Sequence, residues 1–387
     1  MNHVKHMLAI ALLTLLAACG GGGGGGNTSS AVTTVGGVAS KGIITKGTVA
    51  VYPVTNGVKA GTALAVGSIN NGTYSVNIGD YSGPIVVEAY GEYSDEATGK
   101  TLTVPASAPL RAALNYATTG KSFTLPVTPL TDLAYRQAIQ SGALTATSIQ
   151  AANDQVSYAM RLDIINTIPA APTLTAFASA TQSQKDYALI LAAVSQVMAT
   201  QGTTLEATLA NLNSGLASTE TATALNNALA TYVDPANTNN TTGVTTVPDT
   251  LKNIGTIGKK LTLSLSGNGV SSVQAFSVIL TLPDGILLRT NSDGTLLDSV
   301  FVKAGSAATA LNVQIIARYD AANRTVDLAL LAPNGGLTTG NVINITCDTS
   351  GSTTPQASDV GLGNLKFWDQ YGARILDTTL QPTLSLN

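Results

Sequence analysis

The sequence predicts a multidomain α+β protein, with a small β-sandwich, then a helical bundle, then a second β-sandwich. Apolar and polar residues alternate across residues 34–126 and again across 254–387, the period of half-buried strands. Between them, across 127–233, apolar residues recur at the spacing of one helix face. The length of 387 residues is sufficient for two or three such units.

The first element is a leader over residues 1–18. Lys5 precedes the short apolar run Met7–Leu16, and small residues then lead to Cys19, the pattern of a secretory signal peptide. The run is too short to span a bilayer as a stable helix. This arrangement resembles the lipobox of bacterial lipoproteins. The resemblance implies that Cys19 becomes the first residue and carries acyl chains such as palmitate. The alternative is an ordinary cleaved signal with an incidental cysteine.

A tether follows over residues 19–33. The tract Gly20–Gly26 has no side chains to pack, so it predicts a flexible spacer. By the lipoprotein sorting rule, Gly20 rather than Asp after the cysteine implies the outer membrane. Whether the body faces the periplasm or the cell surface stays open.

The composition excludes several function classes. Charged residues make up 11% of the chain, with 19 Lys and Arg against 22 Asp and Glu. The sequence contains no block of basic residues, which argues against nucleic-acid binding. Both histidines, His3 and His6, precede the predicted cleavage site. The mature chain would therefore lack Ser-His-Asp catalysis and His-ligated zinc. Cys347 would be the remaining thiol, and its alternation with two isoleucines predicts a buried structural residue.

Short strands and turns predict the first sandwich over residues 34–126. Asn70-Asn71-Gly72 is a hairpin signal. The segments Gly47–Tyr52 and Asn71–Ser75 resemble the prealbumin-like or carboxypeptidase-regulatory-like module, which implies a non-catalytic support. An acidic patch near its end is predicted to be a solvated loop, with calcium binding as the alternative. It comprises Glu88, Glu92, Asp95 and Glu96.

About five helices are predicted over residues 127–233. Thr128 and Pro129 supply an N-cap and a first-turn proline, and Gly202 ends the strongest apolar stripe. Residues 234–253 are rich in Asn and Thr and predict a linker with little to pack.

The last unit, residues 254–387, is predicted to be a β-sandwich of the jelly-roll type. Its segments Val273–Pro283, Gly340–Ile345 and Trp368–Ile375 resemble motifs of the cohesin family. The resemblance implies a scaffold module that binds another protein.

Candidate binding residues are few. Trp368 and Tyr371 are candidates for stacking on a sugar, although a lone Trp more often lies in a core. Calcium ligation is an alternative for three carboxylates, but their spacing fits no dedicated loop. These are Asp293, Asp298 and Asp359. We assign no catalytic residue, no metal ligand and no cofactor.

Together these features predict a non-catalytic outer-membrane lipoprotein that acts as a binding and scaffolding module at the cell envelope. The partner would be an envelope protein or a polysaccharide. Two alternatives remain open: a structural subunit of a surface filament or matrix, and a glycoside hydrolase. Paired carboxylates for hydrolysis depend on their separation in space, which a sequence does not give.

Overall fold

The computed structural model describes residues 32–216, 218–252, 254–255, 259–288, 302–320, 322–349, 355–377 and 379–386. The predicted signal, Cys19, Asp293 and Asp298 lie outside these ranges. The described part contains a nine-stranded sheet, six helices and two five-stranded sheets. The prediction of a mixed α+β protein is confirmed at this level.

Seven of the nine strands of the first unit form one hydrogen-bonded path, and the other two pair beside it. The path turns at the hairpin between Asn70 and Thr73. Asn71 and Gly72 both adopt positive φ there, 47° and 80°, as a two-residue hairpin turn requires. The strands are β1 Thr34–Val38, β2 Ile44–Thr55, β3 Val58–Lys59, β4 Ala65–Asn70, β5 Thr73–Asn77, β6 Gly83–Ser94, β7 Thr101–Val104, β8 Leu110–Ala117 and β9 Ser122–Thr124.

Six helices follow, and each begins at a Thr or Ser whose side chain accepts a hydrogen bond from the first turn. They are α1 Pro129–Gln140, α2 Ala146–Met160, α3 Leu174–Ser179, α4 Gln182–Gln201, α5 Leu205–Ser214 and α6 Thr219–Val233. Thr128 caps α1 and Gly202 ends α4 in the left-handed conformation, as predicted. The sequence prediction missed α3, because it buries only Phe177 and therefore shows no apolar period.

The sequence predicts a separate helical bundle, but the helices pack against the sheet instead. Val49 and Val87, on one face of the sheet, share a hydrophobic core with Tyr187 of α4. Val86, on the opposite face, packs in a second cluster with Ile149 of α2. The central strands are therefore buried on both faces, so the sheet and the helices form one unit.

The segment 234–253 is not the loosely packed linker that its composition predicts. The Asn239 amide donates to the Ala97 carbonyl at 2.8 Å, and the Asn240 amide donates to the Val244 carbonyl at 2.7 Å. Leu251 is fully buried in the core of the first unit. Side-chain amides here bond to backbone groups and dock a segment that has few apolar residues.

The C-terminal unit consists of two facing sheets around a core of its own. The strands are β10 Lys259–Ser266, β11 Ala275–Thr281, β12 Ile286–Leu287, β13 Val302–Ala304, β14 Gln314–Asp320, β15 Thr325–Leu331, β16 Gly340–Thr349, β17 Gly361–Trp368, β18 Arg374–Ile375 and β19 Gln381–Leu386. One sheet has the order β12-β16-β10-β19 with β13 beside β16, and the other has the order β14-β15-β11-β17-β18. This arrangement confirms a β-sandwich.

The two units meet through polar contacts. Lys303 of β13 forms an ion pair with Asp154 of α2, and Tyr158 shares a side-chain hydrogen bond with Thr346. Within the described ranges, no single helix is long and apolar enough to cross a membrane; α4 and α5 meet the criterion only as a pair bent by 106°.

Candidate functional site

The outer face of the second sandwich sheet is the strongest candidate for a binding surface. Cross-strand partners lie on the same face of an antiparallel pair. The register places Leu331, Ala275 and Trp368 in one row across three strands. The next residue of β11, Phe276, is buried, so this row lies on the face that points away from the core. Every second residue along each strand lies on this same face. It contains Ala275, Ile279, Ile316, Ala329, Leu331 and Trp368, which we call the outer face.

Several of these apolar side chains are in contact with solvent. Ile316 is 66% exposed and Leu331 is 45% exposed. Ile279, Ala329 and Trp368 are partly exposed. A cluster of apolar side chains on an exposed sheet face is a feature of surfaces that bind other proteins.

Charged side chains border this apolar strip. Arg318 and Asp327 are direct register partners. Lys366 lies in the row of Ile316, and Arg374 pairs in register with Trp368. In the described part of the chain, neither Lys366 nor Arg374 takes part in an ion pair. The strip is therefore bordered on one side by positive charge.

Trp368 and Tyr371 occupy different environments. The Arg374 guanidinium lies 5.1 Å from the centre of the Trp368 ring, so a cation already covers this ring. Tyr371 is 85% exposed in the turn between β17 and β18. The two aromatic side chains thus do not form a single flat stacking platform.

Other predicted residues take structural positions. Cys347 is buried in the core beside Ile345, which confirms its predicted role. The Asp359 carboxylate accepts from the Gln356 amide at 2.8 Å at the start of a short helical turn. Among the described residues, no cluster of three or more His, Cys, Asp or Glu side chains could hold a metal.

The four acidic residues do not form the predicted solvated loop: Glu88 and Glu92 lie on strand β6, and of the four only Glu92 is exposed. Asp95 and Glu96 are buried, 1% and 8% exposed, and both face the fully buried Lys41. Glu88 pairs with Lys59 at 3.4 Å and with Arg111 at 3.5 Å. The sequence prediction failed because the partner lysine lies 54 positions away in the chain.

A cleft of about 410 Å³ between the β7–β8 loop, α1 and α5 contains two carboxylates. Arg136 bonds to Asp132 through Nε at 2.5 Å, and to Glu206 through Nη2 at 2.6 Å and Nη1 at 2.9 Å. Burial raises the pKa of Asp132 although Arg136 opposes this shift. The hydrogen bond from Arg136 lowers the pKa of Glu206. Both carboxylates therefore serve as counter-ions of Arg136, and Asp132 also pairs with Arg111 at 3.4 Å.

Sequence reasoning missed the outer face, although a signal for it exists. Strict alternation leaves one face of a strand polar. Three strands break this rule with adjacent apolar residues, which places apolar side chains on both faces. These are Val278-Ile279-Leu280, Ile315-Ile316 and Leu330-Leu331.

Comparison with known proteins gave matches by structure only. Neither the protein-family models nor the curated proteins gave a match. A non-cellulosomal cohesin from Archaeoglobus fulgidus is similar over 30% of this chain and 73% of its own, with 13% identity and a TM-score of 0.22. A type II cohesin from Bacteroides cellulosolvens covers 30% of this chain and 82% of its own, with 12% identity and a TM-score of 0.24.

A type II cohesin domain from Acetivibrio cellulolyticus is similar over 33% of this chain and 86% of its own, with 14% identity and a TM-score of 0.22. Cohesins are also the family that the motifs of residues 254–387 resemble. At these TM-scores the likeness carries neither a partner nor a binding mode to this chain.

Proposed function

We propose that this protein is a non-catalytic binding module at the cell envelope, and that the outer face binds another protein. The observation that carries the proposal is the exposed apolar strip centred on Ile316 and Leu331. Protein partners bury such strips, and the aromatic and Arg residues of a strip commonly supply much of the binding energy.

The charges favour a different protein over a second copy of this chain. A symmetric contact between two outer faces, about a twofold axis that runs across the strands, would bring Lys366 and Arg374 of one copy near those of the other, which is unfavourable. A partner with apolar side chains flanked by carboxylates would complement both features. The proposed role needs no metal and no cofactor.

The arrangement in the cleft supports a non-catalytic role. Glycoside hydrolysis uses two carboxyl groups that flank the substrate, one of them as a proton donor. Asp132 and Glu206 instead both bond to Arg136, which lies between them. We therefore favour a binding role over the hydrolase alternative.

Site-specific photo-crosslinking tests the proposed partner. The full-length protein is produced in its own envelope with a photoreactive residue in place of Ile316, and Val66 provides the control. Val66 lies on β4 of the first unit and is 64% exposed, close to the 66% of Ile316. We expect one crosslinked protein from position 316 and none from position 66. Equal crosslinking from both positions would contradict the proposal.

The identified partner then allows a binding measurement. We expect Leu331→Glu to weaken affinity by at least about ten-fold, since it places a charge in an apolar contact. Lys366→Glu should mainly slow association with an acidic partner. Val66→Glu should change neither quantity. Crosslinking of the chain to itself would instead support the filament alternative.

Polysaccharide binding is a second candidate, favoured by the exposure of Tyr371. An array of envelope polysaccharides, probed with the full-length protein, tests it. Binding that Tyr371→Ala abolishes and Leu331→Glu leaves intact would move the site from the outer face to the turn.

We further propose that acyl chains on Cys19 anchor the protein in the outer membrane. Several chains on one residue hold a protein durably, whereas a single chain binds only marginally. The prediction is that Cys19→Ser moves the protein from the membrane fraction to the soluble fraction. A variant that stays in the membrane fraction would show that another element anchors the chain.

A further inference from the structure

Lys41 lies in an unusual place for a lysine. It lies in the turn between β1 and β2, and its side chain is fully buried. Lysine is almost never fully buried unless it is paired. Its Nζ lies 3.2 Å from Asp95 Oδ2 and 3.5 Å from Glu96 Oε2. Within the described ranges, Lys41 is the sole cation that forms an ion pair with either carboxylate.

The surroundings exclude water and leave the charges unbalanced. The Tyr93 ring centre lies 5.1 Å from Nζ, and the buried Ser195 of α4 closes the other side. Two carboxylates against one ammonium leave one excess negative charge in an apolar interior, which is costly. Condensation of Lys41 with one carboxylate would remove two buried charges, while Glu96 would keep its hydrogen bonds from Gly42 and Ser195.

Hydrogen bonds give the two carboxyl groups different tasks. Asp95 Oδ1 accepts from the backbone amide of Thr98 at 3.0 Å and from its hydroxyl at 2.8 Å. These are donors aimed at an oxygen that would gain negative charge during attack on the carboxyl carbon. Glu96 accepts from the Gly42 amide through Oε1 at 2.5 Å and from Ser195 Oγ through Oε2 at 2.6 Å. Lys41 Nζ in turn donates to Ser195 Oγ.

We propose that Lys41 Nζ and Asp95 Cγ condense to an intramolecular isopeptide bond, with Glu96 as the proton carrier. Proton transfer from the ammonium to Asp95 Oδ2 gives a neutral amine beside a neutral carboxylic acid. The amine attacks Cγ, and Oδ1 takes the negative charge opposite the Thr98 donors.

The remaining steps balance without any co-reactant. Glu96 accepts a proton from the nitrogen, directly or through Ser195, and returns it to Oδ2. The Cγ–Oδ2 bond then breaks, water leaves, and Glu96 is again a carboxylate. The products are one amide and one water molecule.

The bond would join the chain at two distant points. It connects the turn after β1 to the residue that follows β6, closing a loop of 54 positions. Force applied at the N-terminal end of the described chain would then pass into the central strand β6 through a covalent bond.

Mass spectrometry of the purified full-length protein tests the inference. We expect a mass lower by one water molecule than that of the processed and acylated chain. After trypsin digestion, the peptide ending at Lys46 should be joined to the peptide 60–100 through Lys41 and Asp95. Lys59 and Glu88 provide an internal control, because this pair lies at 3.4 Å in the same sheet but is partly exposed. It should remain uncrosslinked.

Variants separate the bond from other water losses. Glu96→Gln keeps the shape and removes the proton carrier, so its peptides should be unlinked. Asp95→Asn should lose ammonia in place of water if it reacts. A wild-type digest in which Lys41 is not joined to Asp95 would overturn the proposal. A loss of water found only in the peptide that contains Asp284-Gly285 would also overturn it, because the water would then come from another site. Both readings come from the denatured wild-type chain and do not require the variants to fold.

Discussion

Gly42 holds the backbone next to Lys41, and its conformation leaves no room for a side chain. Its φ is +66°, and an added Cβ would lie 1.8 Å from the Ser94 carbonyl oxygen. We predict that Gly42→Ala lowers the free energy of unfolding by about 3 kcal/mol, from backbone strain together with this collision.

Gly202 is the matched control for this prediction. Its φ is +62°, and nothing lies within 4 Å of the added Cβ. Gly202→Ala should therefore cost only the left-handed strain, about 1 kcal/mol. Urea unfolding measures both variants. Equal losses would show that the contact with Ser94 does not constrain the turn.

Glu206 gives a pH-dependent prediction. Its hydrogen bond from Arg136 lowers the folded-state pKa below the usual 4.5. The stabilisation is therefore present above that value and is lost as the pH falls through the folded pKa. We predict that Glu206→Gln costs less than about 1 kcal/mol at neutral pH, since the pair is partly exposed.

The same variant should match the wild type in acid well below pH 4.5. The comparison must be between variant and wild type, because burial raises the pKa of Asp132 and shifts total stability in the opposite direction. Denaturant unfolding at both pH values gives the difference. A deficit that grows in acid would contradict the assigned sign.

At the scale of elements, the helix caps differ in burial. Thr128 caps α1 from a fully buried position and also bonds to the Tyr187 hydroxyl at 2.7 Å. Thr181 caps α4 from an exposed position. We predict a loss of about 1 kcal/mol for Thr181→Ala and about 2 kcal/mol for Thr128→Ala, because water can replace only the exposed cap. Thermal unfolding of the two variants would refute this if their order were reversed.

The success of sequence prediction for elements depended on local signals. Thr128-Pro129 and Asn70-Asn71-Gly72 act through the residues next to them, and both were found. The docked segment at Asn239 was missed, because its amide bonds to a carbonyl 142 positions away. The charged border of the outer face was also missed, since it depends on the pairing of strands.

At the scale of the whole molecule, the Lys41 cluster shows why the predicted domain boundaries describe composition and not packing. Ser195 of α4 lies 154 positions from Lys41, yet the two side chains form a hydrogen bond. No local pattern contains this contact. In the sequence, the strands show alternating apolar residues and the helices show apolar residues at helical spacing, as two separate patterns. Only the tertiary structure shows that the sheet and the helices share one core.

The sandwich and the first unit have separate cores, and this separation predicts how cooperatively the chain unfolds. Phe276 belongs to the core of the sandwich, and Leu133 belongs to the core of the first unit. The link between them through Lys303 and Asp154 is a partly exposed ion pair, which contributes less than about 1 kcal/mol. Calorimetry should therefore resolve two unfolding transitions.

Core substitutions assign the two transitions. Phe276→Ala removes about 3–5 kcal/mol and Leu133→Ala about 2–5 kcal/mol, each from the core that contains it. Each variant should lower one transition temperature and leave the other nearly unchanged, while Val66→Ala, at an exposed position, should leave both unchanged. If both core variants shifted a single transition, the units would unfold together. The polar contacts at Lys303 and Tyr158 would then couple the units far more strongly than their exposure predicts.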